Sequence, residues 1–114
     1  MKFTKHQHTH IIGTGCDPEP MTVDGHTFSF PDYPTVQLFV FKHQAAQLYY
    51  VREMRTGLKV GTEYGKKTRA AALADQHAVF ERMRNCPKGE GKHAYVATMV
   101  EECAARWIAK QQKD

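Results

Sequence analysis

The stretch VQLFVF (36–41) has the strongest secondary-structure pattern in the sequence. It is short and rich in β-branched and aromatic residues, which is typical of a strand. Side chains alternate between the two faces of a strand. One face would carry only aliphatic residues and the other would carry two phenylalanines. We therefore expect a central strand, or a strand that is covered on both sides.

The residues around this stretch predict further antiparallel strands. Leu48 to Met54 alternates as a second strand, Arg55-Thr56-Gly57 resembles a hairpin turn, and Leu58 to Tyr64 continues the alternation as a third. Upstream, Asp24-Gly25 lies between the β-prone segments 21–23 and 26–28. An Asp-Gly pair in this setting favours a tight hairpin, because glycine accepts positive φ.

The period changes from strand-like to helical after Gly65. Thr68 can cap a helix, and Asn85 and Pro87 end it. Its apolar stripe consists of Ala72, Leu73, Val79, Phe80, Met83 and Cys86. A second helix is predicted from about His93 to Lys110. Its apolar face would consist of Val96, Met99, Val100, Cys103, Trp107 and Ile108.

Strands followed by helices indicate an α+β fold and not an alternating α/β fold. We expect a small antiparallel sheet, made of a hairpin plus a three-stranded meander, followed by two C-terminal helices packed on one face. The 114 residues fit a single domain, with an irregular or β N-terminal part (1–34), a sheet core (35–65) and the two helices (66–110). Trp107, Phe80 and Phe39 are expected to be buried.

Composition indicates a soluble intracellular protein. Hydrophobic residues make up 41% and charged residues 25%, an ordinary globular balance, and no apolar run could span a bilayer. No secretory signal follows Met1. Cys16, Cys86 and Cys103 are odd in number and form no CxxC pair. They are most simply small buried hydrophobes in a reducing compartment. We therefore predict a cytoplasmic location and no membrane partner.

Positive charge is concentrated in the middle of the chain. The net charge is +4, but residues 42–69 hold seven cations against two acids, a net charge of +5. Residues 1–41 have a net charge of −2 and residues 70–114 have +1. An asymmetry of this kind favours an anionic partner.

The basic segment also contains tyrosines, and cations interleaved with aromatic residues can hold phosphates and stack on bases. Residues near the hairpin tip would contact phosphates or base edges, and residues at the helix start would bind backbone phosphates. The predicted nucleic-acid-binding residues are Arg52, Arg55, Lys59, Lys66, Lys67, Arg69, Tyr49 and Tyr64. The hypothesis requires that turn and helix-start cations share one solvent-facing surface. The alternative is a solvated sheet face with half-buried tyrosines.

Three segments of this region, YYVR (49–52), TGLKVG (56–61) and KTRAAA (67–72), resemble the small N-terminal DNA-binding domains of phage tyrosine recombinases. The resemblance covers roughly residues 36–85. It implies a sheet that lies in the major groove, and a small accessory or regulatory protein of a phage or mobile element. The first 34 residues and the last helix have no counterpart there, and no recombinase catalytic domain follows.

A second candidate site is the alternating cluster His6, His8 and His10. On a strand these three imidazoles would share one face and could begin a zinc site, with Cys16 or His26 as a fourth ligand. No acid precedes Asp17 to orient the imidazoles. The alternative is a solvated polar arm that binds no cofactor.

Catalytic signatures are absent from the sequence. The segment GTEYGKKT (61–68) has three residues between its glycines and a second lysine where a phosphate loop needs serine or threonine, so nucleotide hydrolysis is excluded. Ser29, the only serine, lies in an aromatic strand, and no pair of carboxylates has a spacing that indicates acid–base chemistry. We therefore expect a protein that is not an enzyme.

A protein partner is the alternative to nucleic acid. The same basic face could bind an acidic protein surface, for example as an inhibitor of a larger enzyme. An uncovered strand edge or the Trp107 helix could also form a homodimer.

Overall fold

The computed structural model describes residues 1–12, 20–61 and 64–111, with side chains at all of these except 8–12, 20, 21 and 111. Four antiparallel strands form one sheet in the order β1-β2-β3-β4, and two helices follow them. The predicted α+β fold, with an antiparallel sheet followed by two C-terminal helices, is therefore confirmed. The elements are β1 (Thr4–Ile12), β2 (Pro20–Phe28), β3 (Leu38–His43), β4 (Leu48–Glu53), α1 (Arg69–Arg84) and α2 (His93–Gln111).

Strand β3 is the central apolar strand that its sequence predicts. It pairs with β2 on one side and with β4 on the other. Leu38 and Val40 belong to the core between sheet and helices, whereas Phe39 and Phe41 form a second apolar cluster. Because side chains alternate, the second cluster lies on the opposite face of the sheet.

The main core joins the sheet to both helices. Phe80 of α1 and Val96 of α2 have no exposed surface, and both belong to the cluster that contains Leu38 and Val40. Burying a side chain of this size contributes about 1.5–3 kcal/mol of transfer free energy. The β2–β3 connection is fixed to this core by Tyr33, which is 1% exposed and lies edge-on to Phe80 at 5.1 Å between ring centroids.

The predicted Asp24-Gly25 hairpin turn is wrong, because both residues lie within the continuous strand β2. Gly25 is required there by a close approach. A Cβ at this position would come within 2.3 Å of the Val40 carbonyl oxygen and 2.7 Å of the Phe39 ring. An Asp-Gly pair in the sequence does not distinguish a reversal of the chain from a place where a ring crosses the backbone.

The predicted third strand of the meander, Leu58 to Tyr64, does not form a regular strand in its described part; Thr62 and Glu63 lie outside the described residues. The segment after the turn instead meets β4 through two isolated bridges, Lys59 with Arg52 and Lys66 with Tyr49. These partners are three residues apart on β4 but seven apart on the other segment. The extra residues prevent a continuous ladder.

Helix α1 begins and ends as the sequence predicts. Thr68 has extended backbone angles, and its hydroxyl accepts a hydrogen bond from the Ala71 amide at 3.1 Å. This satisfies one of the amides that the first turn leaves without a partner. Asn85 caps the C-terminus, and its amide donates to the Glu81 carbonyl.

Helix α2 has the predicted limits, but a different set of its residues is buried. Val96, Val100 and Ala104 form the buried stripe, whereas Cys103 is exposed and Trp107 is only half-buried. The predicted burial of Trp107 and Cys103 is therefore wrong, because the fully buried stripe of α2 runs along Val96, Val100 and Ala104 and does not reach Trp107. Neither helix, within the residues described, is long and apolar enough to cross a membrane.

Candidate nucleic-acid interface

The helices leave part of one sheet face uncovered, and a cleft of about 650 Å³ lies there. Residues from all four strands line the cleft, together with the first residue of α1. The charged and aromatic residues that line it include Lys5, Asp24, His26, Lys42, Tyr49 and Arg69.

Strand register explains why these side chains converge. Lys5 pairs with His26, and His26 pairs in turn with Val40. Directly opposed residues of antiparallel strands project from the same face, which Val40 identifies as the helix side. Lys42 lies two residues beyond Val40 and pairs with Tyr49, so both project from that side as well. We call Lys5, His26, Lys42, Tyr49 and Arg69 the basic cleft.

Positive charge predominates in the basic cleft. Among the described residues that line it, Asp24 is the one carboxylate, and it accepts a hydrogen bond from Gln7 Nε2 at 3.2 Å. The cleft also borders the start of α1, whose first turn contains no acid. Free amides and the helix dipole favour an anion at such an end.

Two of the cations in the cleft lie over aromatic rings. The Arg69 guanidinium carbon is 4.3 Å from the centroid of Phe3, and Lys42 Nζ is 5.8 Å from the centroid of Tyr49. A ring attracts a cation without cancelling its charge. Arg69 and Lys42 are thus oriented and still able to bind an anion.

The predicted helix-start residues lie at or near this cleft. Arg69 and Tyr49 line it, and Lys66 is bound to Tyr49 by two backbone hydrogen bonds of 2.7 and 3.0 Å. Lys67 is exposed, whereas the Lys66 ammonium is 3.9 Å from Asp75 Oδ1. Tyr64 is 76% exposed and does not line the basic cleft.

The predicted turn residues are placed differently. Arg55 donates to both carboxylate oxygens of Glu101, at 3.2 and 2.8 Å, and to Glu53 at 3.3 Å. The hydrogen bonds to Glu101 raise the pKa of Arg55, and the charge of Glu53 adds to this. Two carboxylates therefore compensate the charge of Arg55, one of the three cations predicted to contact phosphates or base edges near the hairpin tip.

Arg52 is also withdrawn from the predicted surface. It is 6% exposed, and its guanidinium lies 6.0 Å from the Tyr50 ring, on the face away from the helices. Burial lowers the pKa of this guanidinium. Lys59, bridged to Arg52 through the backbone, is exposed. Arg52 is buried and Arg55 is bound by two carboxylates, so these two turn cations do not share a solvent-facing surface with Arg69.

Sequence reasoning missed Lys5, His26 and Lys42 as members of the interface. Lys5 lies in a segment of net negative charge, and Lys42 was counted only as part of the basic middle segment. Spacing along the chain contains no signal that joins them. Only the pairing of β1, β2 and β3 brings them to one surface.

The predicted histidine cluster lies on β1, and part of it is outside the described side chains. The His6 ring is edge-on to Phe39 at 5.9 Å between centroids. The side chains of His8, His10 and Cys16 are not among those that the structure describes, so the zinc site stays a prediction. A register shift between His8 and Ile11 interrupts the alternation on which that prediction depends.

A second polar cluster joins the β2–β3 connection to the two helices. His77 Nε2 lies 2.7 Å from Asp32 Oδ2 and 3.8 Å from Glu81 Oε1. Burial raises the pKa of Asp32, but the hydrogen bond with His77, a backbone hydrogen bond and the charges of His77 and His93 together outweigh it, so the pKa is lowered. Burial and a hydrogen bond to Glu81 raise the pKa of Tyr33 to about 12. Asp32, His77 and Glu81 could hold a metal ion.

Comparison with known proteins finds no matching family model, no matching curated protein and no matching solved structure. The resemblance of residues 36–85 to recombinase DNA-binding domains is therefore not supported by a family match and stays a prediction.

Proposed function

We propose that the protein binds nucleic acid through the basic cleft. The observation that supports this most directly is the convergence of Lys5, Lys42 and Arg69, from three separate elements, on one concave surface beside the start of α1. The phosphate backbone dominates the affinity of proteins for nucleic acid, and such a surface offers cations for it.

The proposal retains part of the surface inferred from the sequence. Tyr49 and Arg69 stay in it, and Lys5 and Lys42 replace the turn residues Arg52 and Arg55. The geometry favours contact with phosphates over the reading of base edges. The reason is that the hairpin tip, which would have entered a groove, carries an arginine already bound by two carboxylates.

Aromatic side chains support the same function. Tyr49 lines the cleft, and Phe3 lies directly behind Arg69. Aromatic rings interleaved with cations are typical of surfaces that bind single-stranded nucleic acid, because bases stack on the rings while cations follow the backbone. Single-stranded DNA and RNA are therefore the first probes to use, with a duplex of the same length for comparison.

The test is fluorescence anisotropy with labelled 20-nucleotide probes at about 50 and 200 mM salt. Binding should weaken steeply as salt rises, because bound cations are released from the polymer. The variant Lys5→Glu/Arg69→Glu changes two exposed side chains of the cleft and should lose about tenfold or more in affinity at low salt.

The matched control is Arg82→Glu/Lys88→Glu. Both residues are exposed at the far end of α1 and just beyond it, and the change in net charge is the same. This control should bind within about twofold of the unmodified protein if the cleft is the site. Equal losses in the two variants, or no binding at low salt, would refute the proposal. In the second case an acidic protein partner becomes the better hypothesis for the same cleft.

A non-catalytic accessory role, a phage or mobile-element context and a cytoplasmic location all remain predictions from the sequence. They fit a small nucleic-acid-binding protein, and the binding experiment does not depend on them.

A further inference from the structure

Four metal-ligating side chains from three separate segments converge at the other end of α1. Asp32 belongs to the β2–β3 connection, His77 and Glu81 lie one turn apart on α1, and His93 is the first residue of α2. His77 Nε2 is 2.7 Å from Asp32 Oδ2 and 3.8 Å from Glu81 Oε1, and His93 Nε2 is 3.9 Å from the same Asp32 oxygen. Both imidazoles thus present the same ring nitrogen to one carboxylate oxygen.

We propose that Asp32, His77, Glu81 and His93 bind one divalent transition-metal ion of the zinc class. Two imidazole nitrogens and two carboxylate oxygens are a donor set that zinc accepts. Four ligands at about 2.0–2.1 Å from a tetrahedral ion lie about 3.3 Å from one another. The ligand-atom distances of 2.7, 3.8 and 3.9 Å lie on either side of that value. The ligand atoms of Asp32, His77 and Glu81 all lie within 4.8 Å of one another, and the exposed His93 side chain would move toward them to complete the site.

Neighbouring groups already orient the ligands. Arg84 donates to Glu81 Oε2, which leaves Oε1 directed toward His77, and the Tyr33 hydroxyl donates to Oε1 at 3.1 Å. A carboxylate oxygen has a second lone pair, so Oε1 can keep that hydrogen bond while it binds an ion. The rings of both histidines lie edge-on to Tyr33, with centroids 5.9 and 5.0 Å away. Outer contacts of this kind fix the ligands of protein metal sites.

The exposure of the cluster also fits an ion taken up from solution. The side chains of Asp32 and His77 are 35% and 37% exposed, and that of His93 is 47% exposed, so an ion has a direct path to all three. Because all four ligands come from the protein, we assign the ion a structural role. It would join the β2–β3 connection to both helices. This inference stands independently of nucleic-acid binding.

The test uses the full chain without a purification tag, stripped with a chelator and titrated with zinc against a chromophoric competitor. We expect one equivalent of zinc to bind, and Tm to rise with zinc concentration because the ion binds the folded state. Cobalt in place of zinc should give the visible absorption of a tetrahedral site. Asp32→Asn removes a charged ligand at constant shape and should weaken zinc binding at least about tenfold.

The control is His6→Asn/His8→Asn/His10→Asn, which removes the alternative zinc ligands near the N-terminus. This variant should still bind one equivalent of zinc and should give the same cobalt absorption spectrum as the unmodified protein. His93→Asn, an exposed change, provides a second ligand variant if Asp32→Asn reduces folding, as circular dichroism would reveal. The proposal is overturned if the unmodified protein binds no zinc, if both ligand variants bind as it does, or if the N-terminal variant alone loses the ion.

Discussion

Arg55 and Arg69 are 14 residues apart in a segment of net charge +5, yet their surroundings are opposite. Arg55 is bound by Glu53 and by Glu101, which is 46 residues further along the chain. Arg69 lies over the Phe3 ring and lines a cleft with Lys5 and Lys42. A run of cations in a sequence therefore does not define a basic surface. The carboxylates that distant elements bring to each cation decide which of them can meet an anion.

The largest expected effect is a loss of stability when Glu53, the buried carboxylate that binds Arg55, is removed. Glu53 is 2% exposed, and its carboxylate accepts hydrogen bonds from the Thr56 amide at 2.9 Å and the Arg55 amide at 3.0 Å. Glu53→Ala leaves these donors without a partner, so we expect the free energy of unfolding to fall by about 3 kcal/mol. Urea denaturation monitored by circular dichroism measures this change.

The control for that prediction is Glu102→Ala, at an exposed position of α2. It should change the free energy of unfolding by less than about 0.5 kcal/mol. A loss below about 1 kcal/mol for Glu53→Ala would mean that the turn does not depend on its carboxylate. The conclusion that the Glu53 carboxylate holds Arg55 in the turn would then be wrong.

The next effect in size is on nucleic-acid affinity and depends on the proposed function. Arg69→Gln should weaken binding about tenfold and reduce the slope of log K against log salt by about one, since one phosphate contact is lost. Arg55→Gln should leave that slope unchanged. Anisotropy titrations at four salt concentrations give both slopes. An equal reduction in the two variants would contradict the contrast between the arginines.

The parts of the fold that short-range patterns specify could be predicted from the sequence. Thr68 as the cap of α1, Asn85 as its end and His93 as the start of α2 each depend on a few neighbouring residues. The prediction of a turn at Asp24-Gly25 was wrong because glycine is required there by the close approach of the Phe39 ring, on another strand. The predicted burial of Trp107 was wrong because helical periodicity does not indicate how far along the helix the packed surface extends.

Less of the candidate site could be predicted, because its members come from separate strands. Tyr49 and Arg69 were found from the density of charge and aromatic residues between residues 42 and 69. Lys5 and His26 could be joined to them only once the pairing of β1 with β2 was known. The His77–Glu81 pair is different, since its spacing of four residues is visible in the sequence. Its partners Asp32 and His93 are brought to it by tertiary structure alone.

A smaller effect is expected at the helix start beside the cleft. Thr68→Ala removes the hydroxyl that accepts from the Ala71 amide, and should lower the free energy of unfolding by about 1 kcal/mol. Thr68→Ser keeps the acceptor and should restore most of that stability. Thermal and urea unfolding of the three proteins measure the difference. If Thr68→Ser is as unstable as Thr68→Ala, the methyl group and not the cap is what matters.

The smallest effect distinguishes the charge of Arg69 from its stacking on Phe3. Arg69→Lys keeps the positive charge but loses the planar group that lies 4.3 Å from the ring, so affinity should fall only about two- to fivefold. In a Phe3→Leu background the same substitution should have almost no effect, because the ring is already gone. Anisotropy of the four proteins forms a double-mutant cycle, and the coupling measures the stacking. A tenfold loss in both backgrounds would instead show that the ligand needs the guanidinium itself. Arg69 would then differ from Arg55 by what it binds, as well as by having no ion pair with a carboxylate among the described residues.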